Sequence, residues 1–167
     1  MRKIAVTILR PLLICITLLG SAPVFAQGTN VAFGTIRQDT TAPVEVTADN
    51  LAVDQATGKA VFDGNVLIGQ GALRLSAQKV EVVYRATVEG IASLTATGGV
   101  TLVSGADAAE AERADYDIDS GTIVMTGNVF LTQGPSALTA QKMTINLKDG
   151  SARMSGQVKT ILQTGSN

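Results

Sequence analysis

The sequence predicts an all-β fold in one elongated domain, and three observations predict it. A Gly-x-Val element returns four times, at Gly64-Asn65-Val66, Gly98-Gly99-Val100, Gly127-Asn128-Val129 and Gly156-Gln157-Val158, with intervals of 34, 29 and 29 residues. A period in that range marks one supersecondary unit stacked repeatedly. Apolar and polar residues alternate with period two in Val44-Glu45-Val46, Leu73-Arg74-Leu75, Val80-Glu81-Val82 and Asp115-Tyr116-Asp117-Ile118-Asp119, as half-buried strands require. Finally, a shift of 63 residues lays 48–84 over 111–147 without a gap. Asp54, Gly58, Val61, Gly64, Asn65, Val66, Gln70, Gly71, Leu75, Ala77, Gln78 and Lys79 then meet identical residues.

The first element lies outside that fold. Arg2, Lys3 and Arg10 make a cationic start, Pro11 to Leu19 a short apolar run, and Ser21-Ala22-Pro23-Val24-Phe25-Ala26 a small-residue cleavage box. Residues 1–26 therefore read as a secretory signal peptide cleaved after Ala26. The alternative is an uncleaved anchor, for which the run is short of the roughly 20 apolar residues a span needs. Cys15 follows Ile14 rather than a small residue, which argues against a lipoprotein. The mature chain then has 10 Lys and Arg against 14 Asp and Glu, a net charge of −4, and no Cys, His or Trp. Such a chain has no disulfide to staple it. It also lacks the basic stripe of a general nucleic-acid binder.

Residues 27–43 are polar, rich in Gly and Thr, and aperiodic, and read as a flexible leader. The domain proper is 44–163, with 164–167 as a tail. Its unit is a turn glycine (Gly58, Gly121, Gly150), a strand, a Gly-x-Val strand, a turn, and a strand led by Ala77, Ala111 or Ala140. Glycine suits the φ > 0 positions of tight turns and bulges. Counted this way, the domain holds about 14 short antiparallel strands. Ala106 to Ala114, rich in Ala and Glu, is the only stretch with helical composition, and the repeat makes it strand or loop.

Alternation assigns one apolar face. Ala60, Phe62, Val66 and Ile68 share parity, as do their repeat partners Ile123, Met125, Val129 and Leu131, while Leu75, Val82, Leu138 and Ile145 take equivalent places on the Ala-led strands. Asp63, Arg74, Glu81, Asp115 and Asp117 face outward, and Val61, Leu67 and Phe130 leave the second face partly apolar. Two interiors fit this pattern. One is an ordinary sandwich core; the other is left open to hold a lipid, which an aromatic content of 4% and mid-sized aliphatics favour slightly.

Most site chemistry is excluded. Without His or Cys, Ser–His and Cys–His nucleophiles and imidazole or thiolate zinc sites cannot be built. Nothing marks an acid–base pair among the 14 acidic residues, and Gly64, Gly69 and Gly71 lack the context of a phosphate cradle. No enzyme activity, metal or cofactor is expected. Asp115-x-Asp117-x-Asp119-x-Gly121 faintly imitates a calcium loop, but its glycine comes one place late and Thr126 stands where the bidentate Glu belongs. A solvated strand face accounts for these aspartates better. Lys79 and Lys142 read as charges that discourage wrong strand pairing, with contact to a lipid phosphate as a second role.

Val44-Glu45-Val46-Thr47-Ala48-Asp49, then Phe62-Asp63-Gly64-Asn65-Val66, then Ala77-Gln78-Lys79-Val80 resemble the OstA-like (LptA-type) family of periplasmic lipopolysaccharide transport proteins. Met125-Thr126-Gly127-Asn128-Val129 with Ala140-Gln141-Lys142 repeats the pattern, and the resemblance covers 44–160. It implies a twisted, open antiparallel β-jelly roll whose two sheets form a V-shaped trough for lipopolysaccharide acyl chains. The trough residues are then Val44, Val46, Val53, Phe62, Val66, Ile68, Leu75, Val82, Met125, Val129, Leu131, Leu138 and Ile145. The implied partners are LptC-type and LptD-type domains at the inner and outer membranes, with head-to-tail self-association. An expanded interval around Arg85–Gly90 and a short C-terminal tail depart from better-known members and bear on that end-to-end packing. Two other readings stand beside a periplasmic bridge: a membrane-anchored LptC-type partner, and a structural β-repeat protein with a closed core and no lipid.

Overall fold

Each Gly-x-Val marks the place where one long strand folds over itself. The computed structural model describes residues 28–33, 41–87 and 89–161. Six strands form an antiparallel meander: β4 (Lys59–Gln70), β5 (Leu73–Tyr84), β6 (Ile91–Ser104), β7 (Asp107–Asp117), β8 (Thr122–Gln133) and β9 (Ser136–Asn146). At one end β2 (Glu45–Thr47) and β3 (Asn50–Asp54) pair with successive stretches of β4. At the other, β10 (Ser151–Ser155) and β11 (Lys159–Ile161) pair with β9 in the same divided way. The first strand, β1 (Thr29–Ala32), pairs with β10. The result is a single 11-stranded antiparallel sheet whose two ends are not joined.

The expectation of about 14 short strands is corrected: the six central strands run 11 to 14 residues each. The apolar phase slips in mid-strand, and in a sequence such a slip looks like a strand end. On β4, β6 and β8 the slip is a bulge of two consecutive left-handed residues: Gly64 and Asn65 (φ 80° and 47°), Gly98 and Gly99 (86° and 80°), Gly127 and Asn128 (84° and 47°). Gly156 and Gln157 (79° and 50°) repeat it between β10 and β11. Asparagine tolerates this conformation better than most residues. The pairing skips at the same places, between Asp63 and Val66, Thr97 and Val100, and Thr126 and Val129. On β5, β7 and β9 the slip is a three-residue step, from buried Ala77, Ala111 and Ala140 to buried Val80, Ala114 and Met143. The alanines thus sit at the fold line, not at the start of strands.

Glycine is required at the bulge for a second reason. A Cβ on Gly127 would lie 2.8 Å from the Cβ of Glu112, and one on Gly98 2.6 Å from that of Gln78. Asn65 Nδ2 donates to Asp49 Oδ2 (2.7 Å), tying its bulge to the break between β2 and β3, and Asn128 Nδ2 donates to Glu112 Oε1 (2.6 Å), tying its bulge to β7.

The fold line divides the sheet into two halves. Half I takes residues 59–63, 79–84, 91–97, 113–117, 122–126 and 142–146 with β1, β3 and β10; half II takes 66–70, 73–77, 100–104, 107–111, 129–133 and 136–140 with β2 and β11. Half II ends in two-residue hairpins at Gly71-Ala72, Gly105-Ala106 and Gly134-Pro135, with φ positive at the glycine alone, the type II′ pattern. In half I the turn glycines Gly58, Gly121 and Gly150 accept hydrogen bonds from the amides of Tyr84, Leu147 and Phe33 (2.9, 2.9 and 3.0 Å).

One further expectation is revised and another is made definite. Thr29–Ala32, placed in a flexible leader by composition, is an edge strand, and Phe33 behind it is 3% exposed. Pairing with β10 supplies the backbone partners that a polar, aperiodic segment gives no sign of. Ala106 to Ala114, expected as strand or loop, is the last turn residue followed by the start of β7, whose small residues Ala109, Ala111 and Ala114 face inward. The three outward aspartates diverge: Asp115 takes the Arg113 guanidinium (Nε to Oδ2, 2.7 Å), Asp117 accepts from the Ser120 amide (2.7 Å), and Asp119 pairs with Arg85.

Gly127→Ala is expected to cost about 2 kcal/mol, from left-handed strain together with crowding of Glu112. Gly69→Ala, where the added carbon meets Arg74 at an ordinary 3.5 Å, is the tolerated control. Urea midpoints at constant m-value compare them. A second expectation concerns acid. Hydrogen bonds from Arg113, then Thr95, hold the Asp115 carboxyl below its ordinary value, and bonds from Thr57 and Ser120 do the same for Asp54 and Asp117. Depressed folded-state values give stability that is present above the unfolded pKa and lost as pH falls through the folded one. The urea midpoint therefore stays level down to about pH 5, declines below about pH 4, and declines less steeply in Asp115→Asn.

Candidate functional site

Folding one sheet along a line turns its apolar face inward on both sides and makes a trough between the halves. The long axis runs across the strands, the bulges form its floor, and the hairpins of the two halves form its lips. The halves face one another directly: the Tyr116 hydroxyl of half I donates to Gln70 Oε1 of half II across a buried 2.7 Å.

The interior is aliphatic. Of the residues expected to line it, Val66, Ile68, Leu75, Val82, Met125, Val129, Leu131, Leu138 and Ile145 are all buried, and Val44, Val46 and Phe62 are half-buried against them. Val53 differs: it is 60% exposed, as is its neighbour Leu51 at 57%. Both pair with inward residues of β4, Val53 with Ala60 and Leu51 with Phe62, so they share the trough face. They lie on the edge strand, where the described residues place nothing over them. The trough is therefore filled by its own side chains along the centre and uncovered at its β3 end.

Sequence reasoning missed the middle of the trough. Leu94, Val100 and Leu102 of β6 and Ala109, Ala114 and Tyr116 of β7 are buried in it. The 63-residue shift pairs 48–84 with 111–147 and leaves 85–110 with no counterpart, so Gly98-Gly99-Val100 was the one repeat signal on β6 and the inward parity around it was not assigned.

It also missed the polar lip. Among the described residues the buried polar side chains are Gln70, Ser104 and Asp107, each next to a half II hairpin. Gln70 Nε2 donates to the Ala42 carbonyl (3.1 Å). Its repeat partner Gln133 donates to the Ala32 carbonyl and to Asp107 Oδ2 (3.0 Å each). The two glutamines thus hold the chain on either side of the segment joining β1 to β2. Their identity under the 63-residue shift was the signal that could have found them. Burial pushes the Tyr116 hydroxyl above its ordinary value, so it remains a donor across the neutral range. Gln70, Tyr116 and seven apolar residues, among them Val44, Ile68, Leu75 and Leu94, line a pocket of about 20 Å³, room for roughly one water.

No metal-binding cluster occurs among the described residues, and no helix among them is long and apolar enough to cross a membrane. The expected signal peptide, residues 1–26, lies outside the described residues. Leu131→Ala, at a fully buried site, is expected to cost 2–5 kcal/mol, whereas Val53→Ser stays within about 0.5 kcal/mol, as read by urea unfolding.

Known proteins share this architecture. The crystal structure of LptH, the LptA-homologous periplasmic component of the lipopolysaccharide transport device of Pseudomonas aeruginosa, superposes with a TM-score of 0.68 at 16% identity, covering 75% of this chain and 99% of that one. Protein R00383 of Rhizobium meliloti (strain 1021) is 28% identical over 107 residues, which is 60% of this chain and 58% of that relative's length. Residues 45–151, the span from β2 to the first residue of β10, match the model of the family described as LptA/(LptD N-terminal domain) LPS transport protein. This chain, an open antiparallel β-jelly roll with an aliphatic trough, belongs to that family of lipopolysaccharide transport proteins.

Proposed function

We propose that this protein carries lipopolysaccharide through the periplasm as a non-enzymatic bridge from the inner to the outer membrane, with the acyl chains shielded in the trough. The observation that carries this reading is an aliphatic face continuous across every long strand and uncovered where Leu51 and Val53 lie. An acyl chain in water costs about 0.8 kcal/mol per methylene, on the order of ten for a whole chain, so a carrier must cover it at every step. Below the lips the buried side chains are apolar, so a sliding chain meets no polar trap.

Among the described residues no strand pairs with the outer edge of β3 at one end or of β11 at the other, and these edges suit the partners implied by family membership. An LptC-type domain, an LptD-type domain or a second copy would add a strand there and extend the trough. Such contacts are heterologous, and they build a filament where the rotation between neighbours does not close.

The native protein, purified from its periplasm, is expected to carry lipopolysaccharide. A photo-crosslinking residue at Phe62 or Met125 should give lipid adducts, and one at the outward Asp63 or Arg74 should not. Adducts at the outward positions with none at the inward ones would defeat the proposal in favour of a closed structural core. N-terminal sequencing of the same material tests cleavage after Ala26 against a retained anchor.

A further inference from the structure

We infer that the Tyr116–Gln70 pair is the latch of an acyl-chain entrance at the β2 end of the trough, an inference that rests on the lipid-carrying reading above. The pocket these two residues line is apolar apart from them, and its roughly 20 Å³ admits a water but no hydrocarbon chain. A chain enters there only if the halves part, and the Tyr116–Gln70 hydrogen bond crosses between them at that point. The position is next to the exposed edge: Ile68 of the pocket pairs with Val46, and on the same strand Phe62 pairs with exposed Leu51. An amphiphile arriving on Leu51 and Val53 therefore has a continuous apolar path to the latch. Gln70 is held from behind by the Ala42 carbonyl, so it is positioned for Tyr116 before any ligand is present.

The strength of the latch suits repeated opening. A neutral hydrogen bond contributes about a factor of ten to an equilibrium, enough to keep the lips shut when empty and little beside the gain from burying a chain. Loss of the pair should therefore act on rates. The bond re-forms behind a chain that has passed and is broken only during passage, so its removal speeds admission and release together. Tyr116 and Gln70 are in this sense positioning residues for entrance, and the aliphatic wall does the binding.

Stopped-flow uptake of a pyrene-labelled fatty acid by the mature chain tests this, with vesicle capture of the probe giving the release rate. Tyr116→Phe is expected to raise both rates about tenfold and to leave equilibrium affinity within about twofold. The double variant Gln70→Leu/Tyr116→Phe removes both partners, leaves neither side chain of the pair orphaned, and should behave alike even if the single variant folds poorly. Gln133→Leu, at the opposite end, should leave both rates unchanged. A pair with a merely structural role would lower the urea midpoint and move neither rate, and that result overturns the latch. Equal acceleration by Gln133→Leu overturns its location. If the wild-type chain takes up no probe while folded, the trough reading itself fails; if it takes up probe at the rates of the variants, only the latch fails.

Discussion

The constraint on which the molecule depends is a sheet that must fold along a line without losing its ladder. A flat sheet of this size would leave its apolar face in water, and single long strands do not bend sharply by themselves. Two adjacent left-handed residues supply the bend. They occur on every second strand, so that each bulge is opposed by an unbulged neighbour carrying Asp49, Gln78, Glu112 or Gln141 beside the glycine. The intervening strands absorb the same bend through a three-residue step from a small alanine. This division of labour is why the repeat spans a hairpin instead of a strand. The longer first interval is shared between the turn at 85–90, which the Arg85 amide closes on the Gly90 carbonyl, and the longer half I stretches of β5 and β6.

Once the sheet is folded, the chemistry of the trough follows from position. Inward residues near the floor have no access to water and are Val, Ile, Leu, Met and Ala. Inward residues beside the half II hairpins lie at the lips, where polar groups find partners across the opening or on the N-terminal arm. The polar groups are thus satisfied at the rim and absent from the path beneath it. A buried hydrogen bond also brings little net stability, so the rim bonds add little to what the aliphatic interior contributes.

Much of this was legible in the linear chain because two periods survive in it. Period-two alternation set the inward parity of Phe62, Val66, Met125, Leu131 and Ile145, and the repeat of Gly-x-Val located each bend. Strand length was misjudged because a phase slip at Ala77 or Ala140 is indistinguishable, by pattern alone, from the start of a new strand. In the sequence Tyr116 is simply one member of an alternating run. Nothing local distinguishes it from Tyr84, which is 43% exposed, whereas Tyr116 is 6% exposed.

By itself the sequence determined the inward parity of β4, β5, β8 and β9, where the backbone must adopt left-handed conformations, and which catalytic chemistries lack their side chains. These are properties of neighbours along the chain, and side-chain alternation and steric limits on φ act locally. Only the tertiary structure decided that β1 closes the far edge, that Gln70 meets Tyr116 46 residues away, and that Leu51 and Val53 stay uncovered while the rest of their face is buried. Those outcomes depend on which half comes to lie over which. That is set by the packing of the whole folded sheet, and no short stretch of sequence carries it.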